Sequence, residues 1–96
     1  MKTHSEFVDY EMIGKRIRKR RKEKGLSQDQ LGEQVGISLS FMGHIERGTR
    51  KASVETLARL SKALGMDMHY IVFGCSNGYN AESGLLNDLR ELLSRY

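Results

Sequence analysis

Eight of the ten residues from Lys15 to Lys24 are Lys or Arg. So dense a set of fixed positive charges suits one kind of chemistry, the neutralisation of a polyanion such as nucleic acid. From Met12 to Leu64 there are 13 basic residues against 5 acidic; the rest of the chain has 3 against 7. For the charge run taken alone, a solvated helix face is the competing explanation. Catalytic chemistry finds little to work with. His4, His44 and His69 lie far apart and Cys75 is the only cysteine. A zinc site built on His69 and Cys75 would lack two ligands. No Ser/His/Asp order, phosphate-cradling glycine loop or paired carboxylates on one helix face occurs. No enzymatic activity, metal, cofactor or small-molecule effector is expected.

Other partners are disfavoured by composition. Four Tyr, three Phe and no Trp make a poor stacking platform for single strands. After Met12 the basic stretch has only Ile13 and Ile17 as aliphatic residues, too narrow an apolar face for a membrane-surface helix. No apolar run reaches the roughly 18 residues of a membrane span. The polar start MKTHSEFVDYE has no signal-peptide core, and one cysteine allows no internal disulfide. The expected location is the cytoplasm, with no membrane partner.

The elements that must position any site are helical throughout. Without Pro nothing interrupts long helices, and no alternating run is long enough for a convincing strand. The first helix is expected from about Tyr10 to Lys24, with Tyr10, Ile13 and Ile17 on one face and Gly25 as its stop. Ser27 and Gln30 form a capping box for the second, which ends at Gly36. Ser38 caps a third that ends near Arg47 at Gly48, and Ser53 a fourth, VETLARLSKAL, stopped by Gly65. Asp67 can cap a short fifth element, Met68 to Phe73. In the second and third helices Leu31, Val35, Ile37, Met42 and Ile45 turn toward a shared core. Gly32 is small where the two would come closest, and Gly36 provides the positive φ of a tight turn. The segment GISLSFMGHIERG (36–48) has the form of a helix made to lie in a DNA groove. Its front turn nevertheless lacks the Gln, Asn and Arg that usually read bases.

Over residues 12 to 74 the chain resembles the helix-turn-helix domain of the phage-repressor-like (Xre, or Cro/C1-type) transcriptional regulators. The resemblance is carried by GLSQ at 25–28, the L-x-x-x-V-G-I run at 31–37, IERG at 45–48 and SVETLARLSKALG at 53–65. It implies an all-α fold: a compact five-helix lambda-repressor-like DNA-binding domain whose third helix enters the major groove of double-stranded DNA. The family's base-contacting positions fall on Leu39, Ser40, Gly43 and His44, with Ser38 at the helix start. Ser40 can donate or accept, Leu39 can meet a thymine methyl, and His44 can donate to guanine N7 or O6. Gly43 lacks a side chain and could let the helix backbone approach the base edges. Phosphate contacts are expected from Gln28, Arg47, Thr49, Arg50 and Lys51, with Lys15 and Arg16 contributing. Periodicity leaves Arg20 and Arg21 equivalent; the resemblance selects Arg21 as the ion-pair partner of Glu46. Three departures, Gly32 for the usual Ala, Gly43 inside the recognition helix and Arg20 for a common Leu, suggest modest stability.

The expected organisation is an arm at 1–9, the DNA-binding domain at 10–74, a linker at 75–80 and an amphipathic helix at 81–96. Leu85, Leu86, Leu89, Leu92, Leu93 and Tyr96 line an apolar face there, to dimerise two copies or to cover the chain's own core. The expected function is that of a small repressor acting as a homodimer on a two-fold operator. The alternative is a protein-interaction module, such as a coactivator-like adaptor, on the same scaffold.

Overall fold

Each helix begins where a short polar side chain can meet backbone N–H groups that have no carbonyl partner. In the computed structural model, residues 8–75 are described. Their elements are α1 (Tyr10–Glu23), α2 (Gln28–Val35), α3 (Leu39–Arg47), α4 (Val54–Leu64) and α5 (Met68–Phe73). The Asp9 carboxylate accepts from the N–H groups of Glu11 and Met12. Ser27, Ser38 and Ser53 accept from the N–H three residues on, each at 3.0 Å. The capping box is complete, with the Ser27 N–H donating to Gln30 Oε1 at 2.8 Å. Asp67 differs from expectation. It occupies the N-cap of α5, but its side chain makes no capping hydrogen bond. Residues 1–7 of the expected arm, and 76–96 with the apolar set from Leu85 to Tyr96, lie outside the described residues.

The core is one cluster drawn from all five helices: Ile13, Ile17, Leu31, Val35, Met42, Ile45, Leu57, Leu60, Leu64 and Ile71. α1 is its spine, lying against α3 on one side and α4 and α5 on the other. Gly14 makes the α1–α3 approach possible. A Cβ there would overlap the backbone carbonyl oxygens of Ile45 and Glu46. Gly36 ends α2 at φ +77°, a conformation that costs a residue with a Cβ about 1–2 kcal/mol.

The basic run of α1 has an unexpected division of labour. Arg16 Nη1 donates to the Ile71 carbonyl at 2.8 Å and to that of Val72 at 3.3 Å. Arg20 Nε donates to the Leu64 carbonyl at 3.0 Å, and Lys24 Nζ to that of Ala63 at 3.4 Å. In the same way Arg59, on α4, reaches the Val35 carbonyl at 3.3 Å. The last carbonyls of a helix have no partner within it and carry the negative end of its dipole, so a cationic donor there satisfies both. Arg20 accordingly needs no apolar neighbour. It is polar because it ties α1 to the end of α4. Neither a solvated face nor a polyanion footprint describes the whole run: Arg16, Arg20 and Lys24 bond the carbonyl ends of other helices.

Substituting Gly14→Ala is expected to destabilise the domain by about 1–3 kcal/mol through overpacking against rigid backbone. Urea denaturation followed by circular dichroism checks it, and an unchanged midpoint would mean that α1 and α3 can move apart freely.

Candidate nucleic-acid interface

α2 and α3 meet across a two-residue connection, Ile37 and Ser38, that follows Gly36. A Cβ on Gly32 would lie 2.7 Å from the Ile37 carbonyl oxygen, so the small residue is required where the turn folds back on α2, as expected. Met42 and Ile45 are buried on the inner side of α3, and Gly43 and Glu46 are buried with them.

Glu46 fixes the orientation of α3. Its Oε2 accepts from Arg21 Nε at 2.6 Å, and its Oε1 from Arg21 Nη2 at 3.1 Å and Gln28 Nε2 at 2.9 Å. Arg21 Nη1 donates in addition to the Leu26 carbonyl at 2.8 Å. The side chains of Arg21 and Glu46 are only 9% and 2% exposed. A buried ion pair is tolerable when its atoms are also hydrogen-bonded, and no buried nitrogen or oxygen of this one lacks a partner. The ambiguity between Arg20 and Arg21 thus resolves to Arg21, the residue that the resemblance selected.

The opposite face of α3 is turned outward. Ser38, Leu39 and Ser40 are exposed, Leu39 at 51%, and His44 is half-buried one turn further on. This face offers two hydroxyls, one aliphatic surface and one imidazole. Gly43 does not leave bare backbone, contrary to expectation. Its missing Cβ would lie 2.9 Å from Arg47 Nη1, because the Arg47 guanidinium folds back over the glycine one turn before it. The space is already filled.

The expected phosphate contacts divide into two groups. Arg47, Thr49, Arg50 and Lys51 are exposed together at and beyond the end of α3. Lys51 Nζ lies 5.7 Å from the centre of the Tyr10 ring, a cation–π contact that holds the loop near α1. The Thr49 hydroxyl lies 2.8 Å from His44 Nδ1 and donates to the His44 carbonyl at 3.3 Å. Gln28 is near this group, but its side-chain amide braces Glu46. Lys15 and Arg16 are elsewhere. They line a cleft with Met66, Asp67 and Tyr70 on the α4/α5 side of α1. Lys15 pairs with Glu11 at 3.6 Å, and Arg16 holds the end of α5. Sequence reasoning missed Arg18. It is exposed and lines a cleft of about 400 Å³ with Arg21, Gln28, Glu46 and Arg47. Its position one turn after Gly14 and three residues before Arg21 was the available signal, since all three share the α3-facing side of α1.

Comparison with known proteins agrees with this geometry. The sequence model of the helix-turn-helix family matches residues 17–71. A prophage-derived, uncharacterized HTH-type transcriptional regulator of Bacillus subtilis, YonR, is 31% identical over 88% of this chain and 78% of its own length. The HTH-type transcriptional regulator SinR of the same organism is 37% identical over 64% of this chain, which spans only 56% of that relative. Among solved structures, the P22 c2 repressor in complex with a synthetic operator aligns with a TM-score of 0.62 and 38% identity. That alignment covers 64% of this chain and 92% of the repressor chain. These likenesses favour the DNA-binding regulator over the adaptor alternative.

The ion pair yields a thermodynamic cycle. Arg21→Ala or Glu46→Ala alone should cost about 3–5 kcal/mol, because each leaves a buried charge without its partner. The double substitution should cost clearly less than the sum, and strict additivity in chemical denaturation would show that the two groups are not coupled.

Proposed function

The chain belongs to the helix-turn-helix family of transcriptional regulators, and from that premise we propose that it represses transcription by docking α3 in the major groove of double-stranded operator DNA. The observation that carries this reading is the two-sidedness of α3. Its inner side is held by Gly14, Arg21 and Gln28, and its outer side offers Ser38, Leu39, Ser40 and His44 with cations at the far end. A helix clamped from behind presents its outer side chains in one geometry, which base readout requires.

The roles divide by chemistry. Ser40 and His44 supply hydrogen bonds to base edges, and Leu39 supplies apolar contact for a thymine methyl. Arg18, Arg47, Arg50 and Lys51 supply phosphate contacts, which raise affinity for every sequence alike. The protein acts as a regulator without catalytic activity, in the cytoplasm, where its DNA is. One domain of this size covers about half of an operator. A second copy would contact the other half-site roughly 34 Å away, with the apolar residues of 81–96, Leu85, Leu89 and Leu92 among them, as the sequence's candidate for joining the two.

Selection of bound duplexes from a random pool, followed by titrations across salt concentration, tests the proposal. The expected result is a defined two-fold sequence preference and an affinity that falls steeply with salt. Replacing Arg18 by Ala should weaken all duplexes alike and reduce the salt slope by about one. Replacing Arg20 by Ala should lower the melting temperature and leave the slope unchanged, since its guanidinium serves the Leu64 carbonyl. Binding that neither selects a sequence nor responds to salt would overturn the proposal.

A further inference from the structure

Thr49 follows the glycine that ends α3, and its hydroxyl touches two groups of a single residue. It lies 2.8 Å from His44 Nδ1 and 3.3 Å from the His44 carbonyl oxygen. A threonine hydroxyl has one hydrogen to give. If that hydrogen goes to the carbonyl, the 2.8 Å contact is a hydrogen bond only when the ring proton is on Nδ1. The reverse arrangement, with the hydroxyl donating to Nδ1, sets hydroxyl lone pairs against the carbonyl lone pair. Only the first arrangement makes both contacts attractive. A neutral imidazole protonated at Nδ1 has a bare lone pair on Nε2, directed away from the group that Nδ1 contacts.

We propose that Thr49 is a positioning residue for sequence specificity: it holds His44 as the Nδ1–H tautomer, so that Nε2 accepts a hydrogen bond from the DNA. In the major groove the donors are the exocyclic amines, adenine N6 and cytosine N4; guanine N7 and O6 and thymine O4 are acceptors. The proposal rests on His44 meeting a base and reverses the polarity that the sequence suggests for it. On the contacted strand α3 selects adenine or cytosine and rejects guanine, whose O6 would face the Nε2 lone pair. Thr49 thereby acts through His44 and needs no phosphate of its own.

The experiment has a spectroscopic arm and a binding arm. In protein labelled with ¹⁵N at histidine, the signals of the neutral wild-type His44 ring should be those of the Nδ1–H form. Thr49→Val, similar in shape but without the hydroxyl, should lose that signature, and Thr49→Ser should retain it. In the binding arm, the base pair read by His44 is the one whose preference relaxes in His44→Ala. There the wild type should favour adenine or cytosine over guanine by about five- to tenfold, the effect of one hydrogen bond. Thr49→Val should reduce that ratio to about twofold or less, and Thr49→Ser should restore it. A wild-type ring protonated at Nε2 would overturn the inference. So would a Thr49→Val protein that weakens all duplexes alike with its preference intact, while His44→Ala abolishes that preference. If His44→Ala changes no preference at all, base reading by His44 fails and the inference fails with it.

Discussion

One carboxylate sets the geometry of this domain. Glu46 is buried near the end of α3 and accepts hydrogen bonds from Arg21 on α1 and Gln28 on α2. Arg21 in turn reaches the Leu26 carbonyl in the connection between α1 and α2. Three helices therefore meet at one ionic centre in which no buried nitrogen or oxygen atom lacks a partner. Hydrophobic contacts are non-directional and would allow α3 to rotate or slide by fractions of a turn at little cost. A bidentate pair with a third donor does not, because a small displacement breaks short hydrogen bonds in a poorly solvated place.

The remaining cations of α1 show why total charge is a poor measure of DNA-binding capacity. Arg16, Arg20 and Lys24 serve the carbonyl ends of α5 and α4, and Arg21 serves Glu46. Of the eight basic residues in the run, half stabilise the domain's own helix ends and ionic centre. Arg18 is the member that joins the cations around α3. In the proposed reading the electrostatic footprint rests on a cluster from α1, α3 and the loop after α3.

Helix limits were legible because they are written locally. Ser27, Ser38 and Ser53 mark starts, and the glycines at 36, 48 and 65 mark stops with positive φ. The inward faces of α2 and α3 followed from apolar spacing, and a resemblance was needed to choose Arg21 over Arg20. What the sequence did not reveal concerns long side chains. Arg16 was expected at phosphate and holds the end of α5, and the space expected to be open above Gly43 holds the Arg47 guanidinium. Periodicity assigns a residue to a helix face, but an arginine spans enough distance to bond carbonyls on another helix. Such partners are set by tertiary arrangement and leave no periodic trace. Asp67 is a smaller instance: it stands at the capping position and makes no capping bond.

Gly14 makes α1 and α3 meet backbone to backbone, and this close approach bears on how a lineage of such proteins can diversify. Because α3 is gripped along its inner side, Leu39, Ser40 and His44 are not what holds the helix in place. In the proposed reading, a change at any of them alters what the helix asks of its target while leaving the scaffold folded. Glycine at position 14 has no substitute that keeps the approach, so variation is channelled outward. New binding preferences are then reachable by single steps through folded intermediates, without passing through a broken domain.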